Sequence, residues 1–461
     1  MGLAALAAAM LVGCSLIPTY ERPASPVPAV FPGAQPPAAA GQPMASKIAW
    51  QDYFTDPRLA KLIETALANN RDLRIAALNI EQARAQFQIE RSALFPALNA
   101  AASGSRQRPS LIGPGIAESY SVGVGFTAWE IDFFGRISSL KDAALAQFLA
   151  TEESRKAVQI SLVAAVASGW ITLLGDDEAL EITRQTLVTR DESYRLSRLR
   201  FENGVASELD LRQTESQAES ARAALALQQR VRMQDENALA QLIGAPVPAE
   251  ATESGTRSLD SVAPMADLPP GLPSDLLGER PDIRAAEQQL IAANANIGAA
   301  RANFFPRVTL TSSVGTASTE FSGLFQSGSK AWSFAPQITL PIFNAGLNQA
   351  TLDSARAGRE IAVAQYEKTI QAAFREVADA LAGRATLGEQ LRALRAQTAA
   401  EEIRFKLSDL RYRNGIASGL DLLDAQRSLY AAQLETAQTR QTQLQNQVAL
   451  YKTLGGGWAT R

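Results

Sequence analysis

Few residues in this sequence could carry out chemistry. The chain lacks side chains that many enzyme mechanisms require. The 461-residue chain contains no histidine, which removes the commonest general base and the commonest zinc ligand. Its glycine clusters, at 123–125 and 455–457, do not follow a strand and open a helix as a phosphate-binding loop does. A net charge of −3 gives no sign of a nucleic-acid surface. We therefore expect no enzyme activity, no catalytic residue and no metal site.

The single cysteine, Cys14, follows Leu11-Val12-Gly13 at the end of an apolar run. One cysteine cannot build a disulfide framework. Its context is similar to a bacterial lipoprotein signal, in which cleavage before the cysteine exposes it for acylation, although no Lys or Arg precedes the run. We expect residues 1–13 to be a signal peptide and Cys14 to be a lipid anchor, with no other cofactor. Serine rather than aspartate at position 15 favours the outer membrane.

The rest of the chain is a unit used twice. RFENGVASELDL at 200–211 returns as RYRNGIASGLDL at 411–422, and similar pairs recur along both halves. We predict a proline-rich tether at 14–50, which proline keeps extended. Repeat 1 then covers 51–244, a linker covers 245–274 and repeat 2 covers 275–461.

Each repeat is predicted to contain a helix, a β-hairpin and a long helical hairpin. The β-hairpins lie at about 97–131 and 307–342, where the hydrophobic period changes from helical to two. Apolar residues alternate with small or polar ones in both, as in Tyr120, Val122, Val124 and Phe126. Such strands are typical of an outer-membrane β-barrel, and an ordinary amphipathic hairpin is the alternative.

The four predicted strands cannot close a barrel on their own. A closed barrel needs about eight strands or more, and unpaired edge groups are not tolerated in hydrocarbon. Sister chains must therefore share the barrel. Three copies would give about twelve strands, whereas two would give about eight with a filled interior.

The helical hairpins are unusually long. No proline interrupts residues 136–201, and apolar residues recur every seven positions. This spacing predicts coiled-coil packing, for which a rod-like dimer is the simpler alternative. The uncharged stretch 157–175 could span a membrane by length. Its counterpart at 368–386 carries Arg375, Glu376, Asp379 and Arg384, so we predict a buried packing surface instead.

The repeated glycine-containing segments are predicted to turn each helical hairpin, at 203–207 and 414–418. Gly204 and Gly415 suit the left-handed conformation that ends a helix. Ser207 and Ser418 suit the N-cap of the returning helix. We call these two segments the elbows.

The whole pattern resembles the TolC family of outer-membrane factors, in its efflux lipoprotein (OprM-like or NodT) branch. The resemblance is carried by WEIDFFGR at 129–136, LPIF at 340–343, YRNG at 412–415 and DLLDAQ at 421–426. It implies an α+β membrane protein that forms a homotrimer. A shared twelve-stranded β-barrel would cross the outer membrane, and the helical hairpins would form a trimeric α-barrel in the periplasm. The implied partners are a periplasmic adaptor and an inner-membrane pump, often of the resistance-nodulation-division type.

The resemblance also implies a periplasmic gate near the second elbow, formed by Leu420, Asp421, Asp424 and Arg427. Positions 420, 424 and 427 share a helical face, and three symmetric aspartates would favour cations. Alternatively, these acids pair with Arg411 or Arg413 on an exposed tip. The candidate adaptor-docking residues are those of the elbows, namely Asn203, Gly204, Ser207, Asn414, Gly415 and Ser418.

The expected function is that of a passive outer-membrane conduit in a tripartite efflux system. It would carry small toxic compounds or drugs received from the adaptor and the pump. A channel for type I protein secretion is the nearest alternative. A lipid-anchored periplasmic coiled-coil scaffold without a pore is the other.

Overall fold

The computed structural model describes residues 15–32, 45–108, 116–248, 258–263, 265, 268 and 278–459. The predicted signal peptide and Cys14 lie outside the described residues, as does much of the predicted linker.

Within the described residues, long helices alternate with pairs of strands. In chain order the elements are α1 Trp50–Tyr53, α2 Pro57–Asn69, α3 Arg71–Ser92, β1 Asn99–Gln107, β2 Ala117–Ile131, α4 Arg136–Glu202, α5 Glu208–Ile243, α6 Pro281–Ala302, β3 Arg307–Ser318, β4 Lys330–Thr339, α7 Leu347–Arg413 and α8 Gly419–Thr453. Short 3-10 turns occupy Ala45–Lys47, Leu259–Ser261 and Phe321–Gly323.

The chain divides into two compact units. The first comprises Met1–Ser25, Leu78–Glu153 and Ile283–Thr369. The second comprises Pro26–Ala77, Ser154–Asp282 and Ile370–Arg461. The strands therefore belong to the first unit and both elbows to the second.

The first unit contains one four-stranded antiparallel sheet in the order β1-β2-β3-β4. The central pair joins β2 to β3, with Gly123 opposite Gly315. The two β-hairpins are thus neighbours in a single sheet, although they are far apart in sequence. A β-bulge between Phe126 and Trp129 bends β2, and Ala128 adopts a left-handed φ of 49° there.

The N-terminal segment of the first unit runs along α6 in an extended conformation. Asn294 donates a hydrogen bond to the carbonyl oxygen of Pro18 (2.7 Å), and Arg301 donates to that of Leu16 (3.1 Å). Both Arg22 Nε and Nη2 donate to the carboxylate of Glu287, at 2.7 and 2.8 Å. The start of the predicted tether is therefore fixed to a helix, a contact that its composition does not indicate.

The core of the second unit forms around the apolar part of α4. Trp170 is fully buried, and Arg58 of α2 lies over its ring at 5.2 Å. The rings of Tyr53 and Tyr451 stack 4.0 Å apart, and each hydroxyl donates to a backbone carbonyl. Other buried residues of α4 in this core are Leu162, Val163, Ala164, Val166, Ala167, Ile171, Leu173 and Leu174.

The stretch 157–175 lies in this core, which confirms the prediction of a packing surface there. By length and composition, the described residues contain one helix that could cross a membrane, Arg136–Glu202, and its apolar window is mostly buried. Burial of that window against other helices accounts for its hydrophobicity.

Candidate functional site

The sheet of the first unit has one apolar and one polar face. Directly paired residues of antiparallel strands point to the same side, so the register assigns the faces. Val124, Val314 and Trp332 are paired in sequence across β2, β3 and β4 and lie on one face. The large apolar side chains on this face are exposed, including Trp332 at 75% of its surface. No layer of this chain's described residues covers them.

The opposite face of the sheet carries small and hydroxylated residues. Ser103 and Ser121 hydrogen-bond across β1 and β2 at 2.8 Å, and Ser313 and Ser333 do so across β3 and β4 at 2.7 Å. Between them, Gly123, Gly125 and Gly315 bring the strands so close that an added Cβ would clash with backbone atoms of the neighbouring strand. Only glycine permits the backbones to approach this closely.

These two faces match the two sides of a transmembrane β-barrel strand. An outward apolar band suits lipid, and an inward polar surface suits water. The alternation predicted from the sequence is therefore present in β2, β3 and β4, with the larger apolar residues on one side, whereas β1 consists of small and polar residues.

Both elbows have the same hydrogen-bonded geometry. Helix α4 ends at Glu202 and Gly204 has a φ of 75°, while α7 ends at Arg413 and Gly415 has a φ of 73°. The side chain of Ser207 accepts a hydrogen bond from the Asp210 backbone, and Asp210 in turn accepts from the Ser207 backbone. Such a capping box satisfies two backbone donors at the helix start.

The second elbow repeats this capping box with Ser418 and Asp421. The N-cap positions predicted for Ser207 and Ser418 are thus confirmed. The side-chain amides of Asn203 and Asn414 each donate to the carbonyl four residues earlier, at 2.7 Å. These bonds close the last turn of each outgoing helix.

Exposed apolar residues surround the caps. Val205 and Leu209 are exposed at the first elbow, and Ile416 and Leu420 occupy the corresponding places at the second. Nothing lies within 4 Å of a Cβ built on Gly204 or Gly415. The elbows and the first turns of the helices that follow therefore present an accessible apolar surface, with Leu420 exposed over 65% of its area.

The structure assigns different tasks to the two aspartates of the predicted gate. The Asp421 carboxylate accepts hydrogen bonds from the Ser418 backbone (3.2 Å) and hydroxyl (2.8 Å), so it is part of the cap. Asp424 forms salt bridges with Arg404 of α7 and with Arg427, the latter at 2.7 Å. Hydrogen bonds from Arg404 and then Arg427 hold the pKa of the Asp424 carboxyl below its usual range.

The alternative pairing of these acids with Arg411 or Arg413 is not found among the described residues. Arg413 pairs instead with Asp409 one turn earlier, at 2.8 Å. Arg404 could not be predicted as a partner of Asp424, because it lies on the other helix of the hairpin and no spacing rule connects the two residues. At the first elbow, Gln213 and Ser216 occupy the places of Asp424 and Arg427, so the charged group is confined to the second.

In the described part of the chain, no group of three or more His, Cys, Asp or Glu residues is arranged to hold a metal ion.

The sequence profile of one known family, described as "Outer membrane efflux protein", matches residues 62–245 and again residues 272–456. The chain belongs to this family. The resemblance deduced from the elbow and strand motifs is therefore confirmed.

Relatives within the outer membrane efflux protein family match nearly the whole chain. The probable efflux pump outer membrane protein TtgC of Pseudomonas putida is 47% identical, over 98% of this chain and 95% of its own length. The outer membrane protein OprJ of Pseudomonas aeruginosa is 45% identical, over 99% and 96%.

Solved structures show the same fold. The open state of the Neisseria gonorrhoeae MtrE outer membrane channel superposes with a TM-score of 0.87 at 44% identity, covering 96% of this chain and 99% of that one. The structure of CusC gives a TM-score of 0.85 at 39% identity, covering 96% and 100%. The protein is thus an outer-membrane efflux channel component, and the predicted location and efflux function are confirmed. The interpretation as a scaffold without a pore loses its support.

Proposed function

We propose that the protein acts as a homotrimer whose shared β-barrel is a passive exit duct through the outer membrane. The observation that carries this proposal is the uncovered apolar face of a sheet whose other face is small and polar. In that sheet β1 and β4 each have one neighbour, so each leaves a row of backbone groups unpaired. Hydrocarbon does not tolerate such edges, whereas pairing with sister chains removes them.

Three copies of the sheet would close a barrel of about twelve strands, wide enough for an aqueous lumen. The serine, glycine and alanine residues of the polar face would line that lumen. The long hairpins α4–α5 and α7–α8 would form the wall of an α-barrel, because their seven-residue apolar spacing suits helices with neighbours on both sides.

The cargo we propose is small toxic compounds and drugs. The names of the relatives point this way, since they include a toluene efflux pump protein, a solvent efflux pump protein and an antibiotic efflux pump protein. The duct itself needs no catalysis. Its energy and its substrate choice would come from an inner-membrane pump, of the resistance-nodulation-division type, linked by a periplasmic adaptor. The type I secretion alternative has no comparable support among these names.

Acylation of Cys14 is part of the proposal. Leu16, two residues later, is held at the end of α6, and β3 begins at Arg307 only a few residues after that helix ends. Leu16 therefore lies beside the part of the chain that enters the strands. An acyl chain attached here would reach the membrane without a long spacer. Mass spectrometry of the N-terminal peptide, compared with a Cys14→Ser variant, tests this assignment.

The elbows and the Asp424 group complete the proposed machinery. The elbow residues Asn203, Gly204, Ser207, Asn414, Gly415 and Ser418 would dock the adaptor through the exposed apolar surface around the caps. Leu420, Asp421, Asp424 and Arg427 would form the periplasmic gate. Crosslinking from single cysteines placed at Val205 and Ile416 should capture the adaptor, and crosslinks that never include it would remove the docking assignment.

The conduit itself is tested by purification from outer membranes followed by planar-bilayer recording. We expect a trimer that resists detergent until heated, and single channels with a stable conductance. A monomer in the soluble fraction, or a trimer that never conducts, contradicts the proposal.

A further inference from the structure

A cavity of about 250 Å³ lies in the second unit between helices α4, α7 and α8. Arg190 and Lys406 contribute positive charge to its lining, and Glu402 contributes one carboxylate. Phe405 and Tyr430 contribute aromatic surface. The cavity therefore admits an organic group rather than a single ion.

Arg190 lies in this lining without a counter-ion. It is only 5% exposed, and its guanidinium lies 5.5 Å from the centre of the Tyr430 ring. Among the described residues it makes one hydrogen bond, from Nη1 to the carbonyl oxygen of Gln217 at 3.2 Å, and its Nε has no partner. No carboxylate of the described chain forms a salt bridge with it. A buried guanidinium with no counter-ion and an unpaired Nε–H donor is costly.

A second buried side chain of the lining is also incompletely paired. Gln426 is 6% exposed, and its Nε2 donates to the hydroxyl of Ser193 at 2.9 Å. Its Oε1 has no partner within the described residues. Arg190 Nε, a donor, and Gln426 Oε1, an acceptor, thus both lack a hydrogen bond, which indicates a polar occupant rather than an apolar one. The acceptor would be satisfied by water, since a carboxylate cannot donate to it.

We propose that this cavity binds a small organic carboxylate. The carboxylate would pair with Arg190, with Lys406 adding attraction at the exposed side, because two cations outweigh the single acid of the lining. The apolar body of the ligand would lie against Phe405 and Tyr430. Ligand binding at this site can be measured whether or not the proposed duct conducts.

Calorimetric titration of the purified full-length protein in detergent tests the proposal. The probes are benzoate, its neutral isostere benzamide, and acetate, which keeps the charge but has no aromatic body. Titration of protein-free micelles corrects for partitioning. We expect saturable benzoate binding, at least ten-fold weaker acetate binding and no benzamide binding. Absence of saturable benzoate binding, or benzamide binding of equal strength, overturns the site.

The variant Arg190→Gln should weaken benzoate binding at least ten-fold. Its matched control is Arg195→Gln on the same helix, an exposed arginine already paired with Glu192, which should leave binding unchanged. If Arg190→Gln does not assemble, Lys406→Gln decides the matter, since that side chain is exposed and should assemble normally. A several-fold loss of benzoate affinity with Lys406→Gln supports the site. Unchanged benzoate affinity in Arg190→Gln or in Lys406→Gln refutes it.

Discussion

Arg404 on α7 and Asp424 on α8 form a salt bridge across the second helical hairpin. Arg404 contacts Oδ2 of the carboxylate, and Arg427 contacts Oδ1. Arg404 also pairs with Glu401, so the two acids and the two guanidinium groups balance in charge within one chain. This pairing changes what a ring of three such aspartates would do at the proposed gate.

Replacement of Asp424 by asparagine should shift the channel away from cations. The change leaves Arg427 without its carboxylate and Arg404 with only Glu401, so the group gains net positive charge, and a positively charged constriction repels cations. We expect the cation-to-anion permeability ratio to fall several-fold and the conductance to rise, because the link between α7 and α8 is lost. Reversal potentials across a salt gradient in planar bilayers measure the ratio. Gln213→Asn, at the corresponding place of the first hairpin, should change neither quantity. An Asp424→Asn channel with the wild-type reversal potential removes this residue from the gate.

Replacement of Asp421 by alanine should act mainly on helix stability. The Asp421 side chain completes the capping box with Ser418, and loss of such a cap costs about 1 kcal/mol. Asp210→Ala removes the same interaction at the first elbow and is the matched control. We expect both variants to speed hydrogen exchange at their own elbow to a similar degree.

The comparison of these two variants separates capping from gating. If Asp421 serves only as a cap, neither variant changes ion selectivity. A change of selectivity with Asp421→Ala alone shows that its carboxylate also faces the ion path. The double variant Asp421→Ala with Asp424→Ala, measured without the single variants, would not separate the loss of the cap from the loss of the gate charge.

The local elements of this fold could be predicted from the sequence because their signals are local. Gly204 and Gly415 mark the ends of α4 and α7, and the serine caps three positions later mark the helices that follow. Period-two alternation located β2 and β4, since one residue type faces each side of a strand. The helix Pro57–Asn69 was not predicted, although Asp56 before Pro57 and apolar residues at helical spacing are a recognisable start signal.

The interactions between distant segments could not be predicted in the same way. The pairing of β2 with β3 joins residues such as Val124 and Val314, and alternation alone does not select strand partners. The partner of Asp424 lies across a hairpin, where many arginines were available. The contact between Arg22 and Glu287 fixes a proline-rich segment that composition marks only as extended. In each case the deciding factor is tertiary packing, which a single sequence does not display.

An arginine on the apolar face of the sheet should prevent membrane assembly. Val314 is on that face near the middle of β3, and an arginine facing lipid at this depth costs about 2–4 kcal/mol. Its neighbour Ser313 points to the opposite face, so Ser313→Arg is the matched control. We expect Val314→Arg to abolish the detergent-resistant trimer in outer membranes, while Ser313→Arg still assembles and conducts less. Equal assembly of the two variants contradicts the assignment of the faces.

The carboxyl of Asp176 should make the first helical hairpin sensitive to pH. Burial, a hydrogen bond with Asp235 of α5 and the negative charge of that residue and of Asp177 raise its pKa to about 7. Arg232 opposes the shift only in part, because it is bound by Asp177 (2.6 Å) and Glu236 (2.6 Å). The charges facing Asp176 from both helices are thus predominantly acidic.

The sign of the effect follows from proton binding. Because the pKa is raised on folding, the folded protein holds this proton more tightly than the unfolded chain does. Stability should therefore fall as the pH rises from about 4 to about 7, and stay level above. Asp176→Asn keeps a neutral hydrogen-bonding group, so it should flatten this slope. Above pH 7 it should stabilise the protein, by on the order of 1 kcal/mol once solvent screening of this partly exposed group is allowed for.

Thermal melting followed by circular dichroism at pH 5 and pH 8 measures both effects. Asp191→Asn on the same helix, whose carboxylate is exposed and paired with Arg222, should keep the wild-type slope. A wild-type protein that is equally stable at both pH values shows that Asp176 and Asp235 do not share a proton.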